Sequence, residues 1–377
     1  MPVIYDELRK LATQRLTHEK PGQSITNQGL VTGDGELGGT FENSVAGELR
    51  AEPGRSLKLT GSGNTSSGQI NLLGGLIEFT RDLANNASGF ISGNGTLIVR
   101  NGLVNRGTIS FSGSANVIGD TTNAAGGKVI SGGGDATIFY DDVTNNGEIR
   151  TSTDGFTIFY GSVSGGGTFT GTGTVNFEGD LNPGISAAAV QFAGDVIFGS
   201  EATLQVELGG SVLGTQYDHI RVAGDLALDG SLNVTLINDF QPTIGQSFNI
   251  LDWLGTRTGT FSSLSLPALA GLTWDTSQLY TTGVLSVAAG LAGDFNGDGS
   301  VDAADYVVWR KFDGTPSGYD EWRSNFGATL DSGSTVAWPS HAAVPEPAST
   351  LLLLFGAAAG IWRRRVKAIW LPLTHSA

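Results

Sequence analysis

Thr137-Ile138-Phe139-Tyr140 and Thr157-Ile158-Phe159-Tyr160 are one four-residue string written twice, 20 positions apart, with Val143 and Val163 in matching places behind them. Outward from this pair, a glycine followed two residues later by an apolar side chain recurs at Gly29/Val31, Gly47/Leu49, Gly68/Ile70, Gly89/Ile91, Gly107/Ile109, Gly127/Val129, Gly147/Ile149 and Gly167/Phe169. Successive glycines are separated by 18, 21, 21, 18, 20, 20 and 20 positions. The residue between glycine and apolar position is polar in six of the eight copies: Glu48, Gln69, Thr108, Lys128, Glu148 and Thr168. A period of two is that of a strand with one face in and one out, so each repeat carries at least two strands.

A period of about 20 residues with short strands and Gly/Asn corners predicts an all-β chain, a parallel β-helix-like β-solenoid over residues 23–190. Each coil stacks on the last because alone it cannot bury its apolar face. Eight coils at the inter-strand spacing extend about 35 Å. Asn105, Asn145, Asn146, Gly165 and Gly166 are expected at corners in left-handed backbone geometry. The competing arrangement is a sandwich of antiparallel hairpins, which predicts irregular repeat lengths.

Composition narrows the function classes. Glycine accounts for 57 of 377 residues, but too aperiodically for collagen, and 39% hydrophobic content is too high for a disordered linker. The net charge, 21 − 36 = −15, disfavours phosphate contacts, so nucleic acid is not an expected partner. With no cysteine there is no disulfide and no thiolate metal site. Four histidines (His18, His219, His341 and His375) leave histidine-based catalysis little to work with.

After Leu181-Asn-Pro-Gly184 the alternating runs lengthen, as in Leu204–Leu208 and Leu232–Leu236. Residues 191–290 are expected either to continue the solenoid as a cap or to form a small sandwich. The run Tyr217–Ile237, YDHIRVAGDLALDGSLNVTLI, resembles the closing block of repeat-rich bacterial surface proteins, including those with autotransporter-associated strand repeats. His219 within it is expected to be a solvated strand-end histidine.

Residues 294–305, DFNGDGSVDAAD, place oxygen-bearing residues at the ligand positions of a twelve-residue calcium loop: Asp294, Asn296, Asp298, Ser300 (by its carbonyl), Asp302 (through water) and Asp305. Gly299 supplies the sharp turn, Val301 the apolar eighth position, and Ala303–Phe312 the following helix. The expected cofactor is Ca²⁺. Residues 291–331 resemble a type I dockerin, which has Asp at the last ligand position and whose family docks onto a cohesin. Tyr306, Trp309, Arg310 and Gly314 recur, in the same spacing, as Tyr319, Trp322, Arg323 and Gly327, without a second ligand run. Trp309 and Trp322 are read either as a binding face or as the small core of this module.

A linker, 332–343, leads to a C-terminal segment, 344–377, with Pro345-Glu346-Pro347, the apolar run Ala348–Trp362 and Arg363-Arg364-Arg365. The run is predicted to form a C-terminal transmembrane sorting helix. Its fifteen residues as a helix reach about 22 Å, a marginal span stopped by positive charge. The arrangement is similar to the PEP-CTERM sorting signal, which implies an exosortase-type partner, a cut near Pro345–Pro347, and residues before 344 outside the membrane. An ordinary C-terminal anchor and a buried core helix are the other readings, the latter leaving the arginines nowhere to go. At the other end, residues 1–22 form an amphipathic pattern (Ile4, Leu8, Leu11, Leu16) that resembles the opening of an extracytoplasmic-function sigma factor and lacks a secretory apolar core. It is read as a fusion or misplaced start, or as an incidental capping helix.

Solenoid, dockerin-like loop and sorting tail together resemble proteins of planctomycete-type bacteria. The expected function is an exported, non-catalytic surface or matrix protein with a cohesin-like or surface-polymer partner, attached to the membrane through 348–362. The alternative is a polysaccharide-active β-helix enzyme, for which Asp135, Asp141, Asp142, Glu148 and Arg150 are the charged candidates.

Overall fold

The repeated strings lie side by side. Ala136–Phe139 and Phe156–Phe159 pair in parallel, with Thr137 on Thr157, Ile138 on Ile158 and Phe139 on Phe159. The computed structural model describes residues 24–184, 186–269 and 271–329. Two compact units divide at Ala289/Gly290 and are treated separately below.

One coil of the first unit consists of Val143–Asn145, Glu148–Thr151 and Phe156–Phe159, and the next begins at Val163. Corresponding strands of successive coils pair in parallel, which builds three lanes and excludes the hairpin sandwich. The first lane is an eight-stranded sheet from Ser24–Asn27 to Val163–Ser164. In the second lane Leu49, Ile70, Ile91, Ile109, Val129 and Ile149 stack in register, each at most 1% exposed. These are the apolar positions of the glycine repeat. In the third lane the rings of Phe139, Phe159, Phe177 and Phe198 stack inside at centroid separations of 5.4, 5.6 and 5.5 Å. Each such burial contributes roughly 1.5–3 kcal/mol before entropy.

The corner asparagines are not left-handed. Among the described non-glycine residues only Asp154, Asn238 and Asp239 have positive φ. Asn105 and Asn145 instead point inward and are completely buried. They belong to a ladder along the first lane: Asn27 Nδ2 donates to Asn43 Oδ1 (2.8 Å), Asn85 to Asn105 (2.8 Å), Asn105 to Asn123 (2.9 Å) and Asn123 to Asn145 (2.9 Å). The same amides also reach the second lane, where Asn105 bonds Lys128 O and Asn123 bonds Glu148 O, both at 3.1 Å. Buried amides bonded in this way lock the corner and fix the register. The neighbouring glycines follow from the same crowding, since a Cβ on Gly107 or Gly147 would overlap the carbonyl oxygen of Gly89 or Gly127 in the coil before. Gly165, at φ 101°, is a corner that does need left-handed backbone, whereas Gly166 does not.

The coils run on past residue 190. Val190 pairs in parallel with Ile220, Leu204 with Leu232, and Leu232 with Leu264, so the third strand of the first lane's extension ends at Ser265. Repeats lengthen here because excursions such as 209–216 leave the coil and return. A small antiparallel sheet of Ser247–Asn249, Val284–Ala289 and Leu272–Asp275 follows, so the sandwich reading of 191–290 gives way to continued coils with this sheet at the end.

The ladder has one weak step. Ser66 occupies an asparagine position, and Asn43 Nδ2 donates to its hydroxyl at 3.1 Å, but the buried Oδ1 of Asn85 on the next coil has no partner. Ser66 precedes a glycine by two residues, as Asn105 and Asn145 do, so the corner has the shape that accepts an asparagine. Ser66→Asn is expected to stabilise the chain by about 1 kcal/mol, and Asn105→Leu to destabilise it by about 2 kcal/mol or more by stranding its partners. Denaturant midpoints of the two variants check both signs.

Candidate functional site

The second unit is built around the 294–305 loop. Asp302 caps helix α1 (Ala303–Phe312), its carboxylate accepting Ala304 N at 2.7 Å, and Thr315 caps helix α2 (Pro316–Asn325). Between the helices Tyr306, Trp309, Tyr319 and Trp322 pack ring against ring at 5.0–6.3 Å. Trp309 and Trp322 are 8% and 6% exposed, and their indole N–H groups donate to Thr315 O and Asp302 O. These tryptophans are therefore the core of the module rather than an open binding face. Val301, fully buried, exchanges backbone bonds with Gly327 and Ala328, which ties the loop to the segment after α2.

The loop's carboxylates are turned onto amides of the loop itself and of the start of α1. Asp294 accepts Gly297 N and Gly299 N, one on each carboxylate oxygen, at 2.8 and 2.9 Å. Asp298 accepts the Ser300 N–H and hydroxyl, and Asn296 Oδ1 accepts Asp298 N. Asp305 is completely buried and accepts Phe295 N, Asn296 N and Asp302 N. Burial, with help from the neighbouring Asp305 and Asp298 charges, pushes the Asp294 carboxyl above its ordinary range, while the Ser300 bonds hold Asp298 below it. Among the described residues no three acidic, histidine or cysteine side chains stand close enough together to hold a metal ion. Each Asp294 oxygen accepts only one amide, however, and so keeps a free lone pair.

The solenoid's charged candidates are dispersed. Asp141 accepts Gly119 N at 2.7 Å and Asp142 accepts Ser162 N at 2.8 Å, so each ties its corner to an adjacent coil. Asp34, Asp195 and Asp225 do the same for Ser56, Asp225 and Thr256. Asp135 accepts the Ser114 hydroxyl, Glu148 accepts the Thr170 hydroxyl in the second lane, and Arg150 is exposed nearby.

His219 is not solvated: it is 6% exposed and its Nε2 lies 3.1 Å from Asp252 Oδ2. Beside it sits a group that sequence reasoning passed over. Asp218 is 1% exposed, and its two oxygens accept Ala188 N and Glu207 N, both at 2.7 Å, where the 209–216 excursion returns to the coil. It borders a polar hollow of about 160 Å³ with Asn182, Gln205, Glu207 and Thr235. Burial pushes its carboxyl up to about 7. The only local signal in the sequence was an acid beside His219 at the entry of an alternating run.

The sorting residues Pro345, Glu346, Pro347, Arg363, Arg364 and Arg365 lie outside the described residues, as do 1–22 and the run 348–362 expected to form the membrane helix. Among the described residues no helix is long and apolar enough to cross a membrane. Residues 343–365 match the family model of the PEP-CTERM protein-sorting motif. A search of curated proteins finds no match to the chain. The class defined by fold and motif together is a β-solenoid protein with a C-terminal sorting signal. That motif implies export, and recognition by exosortase-type sorting machinery.

The raised Asp218 pKa fixes a sign. The folded state binds this proton more tightly than the unfolded one, so the contribution is complete below about pH 4 and is lost as pH rises through about 7. The unfolding free energy is expected to fall between pH 5 and 8, by at most about 2–3 kcal/mol from this group. Asp218→Asn is expected to flatten that slope, which parallel urea titrations at the two pH values measure.

Proposed function

We propose that this chain is an exported, non-catalytic structural or adhesive protein of the cell surface or extracellular matrix. Its stacked coils form the structural body, and its C-terminal signal directs it through the envelope. The observation that carries the reading is a sorting motif at 343–365 on a chain whose described part is mainly a β-solenoid. A structural role for the coils is supported by the corner acids. Asp141 and Asp142, the leading catalytic candidates, are committed to backbone amides of adjacent coils. Fractionation of cells making the internally tagged chain, with mass spectrometry of both termini, tests it. The expected result is an envelope or extracellular product truncated near Pro345–Pro347. An uncut cytoplasmic chain would overturn the reading.

The 294–305 loop, in this reading, binds Ca²⁺ and orders a docking module whose partner is a cohesin-like domain or a surface polymer. Asp294, Asn296 and Asp298 would hold the ion with the Ser300 carbonyl, Asp302 through water, and Asp305. The all-oxygen donor set and the mutual repulsion that helps raise Asp294 favour a hard dication. Binding would draw Asp294, Asp298 and Asp305 closer together than they stand. The ion supplies charge neutralisation at the turn and no chemistry of its own. Calcium is expected to protect residues 291–329 from protease in the wild type and not in Asp294→Ala. Identical digestion with and without calcium in the wild type removes the metal from the account.

A further inference from the structure

The outward side of the third lane does not look like the outside of an ordinary solenoid. Inward positions there are the stacked phenylalanines, so the alternate residues face out. Thr96, Asn116, Ile138 and Ile158 form one outward column on four successive coils, and Ile98, Ile118, Tyr140 and Tyr160 the next, with Ile98 buried and no charge among the eight, in a chain that is 15% charged. Ile118, Ile138 and Ile158 are half-buried, while Tyr140, Phe156 and Tyr160 are 44%, 43% and 52% exposed. The Tyr140 and Tyr160 rings stack on one another at 5.6 Å and 10°. The stack takes one face of each ring, and branched aliphatic groups make up much of the rest of the strip.

We propose that this strip is a self-association surface, on which two copies of this chain pair face to face with their coils running antiparallel. Flat parallel sheets that carry in-register ladders of apolar side chains are the elements that pack on one another with dry interfaces, about 10 Å apart. Charge selects the orientation. Glu78 and Glu178 mark the two ends of the strip, and Arg100 pairs with Glu78 at 2.9 Å. An antiparallel pair sets the Arg100–Glu78 end of one copy over the Glu178 end of the other, placing the guanidinium between two carboxylates. Area sets the strength. Four coils by three outward columns give roughly 20 Å by 20 Å, about 400 Å² of face per copy. Two such faces fall short of the usual size of specific interfaces, so the dimer is weak and driven by local concentration. Because the chain carries a net charge of −15, salt strengthens it by screening. The inference rests on this face and is independent of the export reading.

The chain has no cysteine, so single thiols report the pairing cleanly. Full-length Ile138→Cys, at the middle of the strip, is treated with a short bis-maleimide beside Arg150→Cys, which is exposed on the second lane. Ile138→Cys is expected to give a concentration-dependent covalent dimer at about 100 µM, increased by salt, and Arg150→Cys at most a tenth as much. Adding Tyr140→Lys and Tyr160→Lys, exposed positions whose replacement leaves the core intact, is expected to abolish the cross-link, with the circular dichroism spectrum unchanged. Equal yields from the two thiols, a cross-link that survives the lysines, or a chain that stays monomeric and is retained on a neutral polysaccharide matrix through the tyrosines, would each overturn the proposal.

Discussion

Successive coils of this solenoid approach one another at strand spacing on every lane, and the corners are where that approach is hardest to satisfy. A corner interrupts the backbone ladder, leaving amides and carbonyls to find partners while buried. The stacked asparagines meet this constraint. From Asn85 through Asn123 each presents one N–H to the next amide in the ladder, and Asn105 and Asn123 present a second to a carbonyl of the neighbouring lane. A buried amide stack is stabilising only if its members are satisfied, since an orphaned polar atom in such a place costs more than a bond yields. The register of the apolar and phenylalanine columns depends on it, because a coil that slipped by one residue would strand the amides and turn every core side chain outward.

That constraint also shapes the surface. With the corner interiors given to asparagine and glycine, the corner exteriors carry aspartates whose carboxylates accept amides from adjacent coils. Acids that would invite a catalytic reading when met in the sequence are thereby occupied with holding the stack together. Asp218 is the extreme case, buried where a long excursion rejoins the coil, and its burial pushes its carboxyl above the ordinary range. The mechanical or adhesive role we propose draws on this commitment of the corner acids, and the sorting motif supplies the address.

The second unit follows a different logic. A short loop with many carboxylates is stabilised locally, by amides of its own turn, by the capping of α1, and by a core of four aromatic rings. Its run of oxygen-bearing residues was legible because such spacing is a local property of one short stretch. The packing of Trp309 and Trp322 was not, since whether a tryptophan faces solvent or a second helix depends on how α1 and α2 meet.

By itself the sequence determined the solenoid class, through strand alternation inside the longer glycine-marked period, along with the apolar column from Leu49 to Ile149. Only the tertiary structure decided what the corner residues do. Asn105 read as a turn former and proved to be a buried ladder rung, Gly107 read as a marker of the repeat and proved to be clearance for a carbonyl, and His219 read as solvated and proved to be buried against Asp252. The continuation of the coils beyond residue 190 was likewise left open by lengthening repeats. In each case the deciding partner lies a whole coil away along the chain, and a local pattern cannot show which atom of the next coil a side chain will meet.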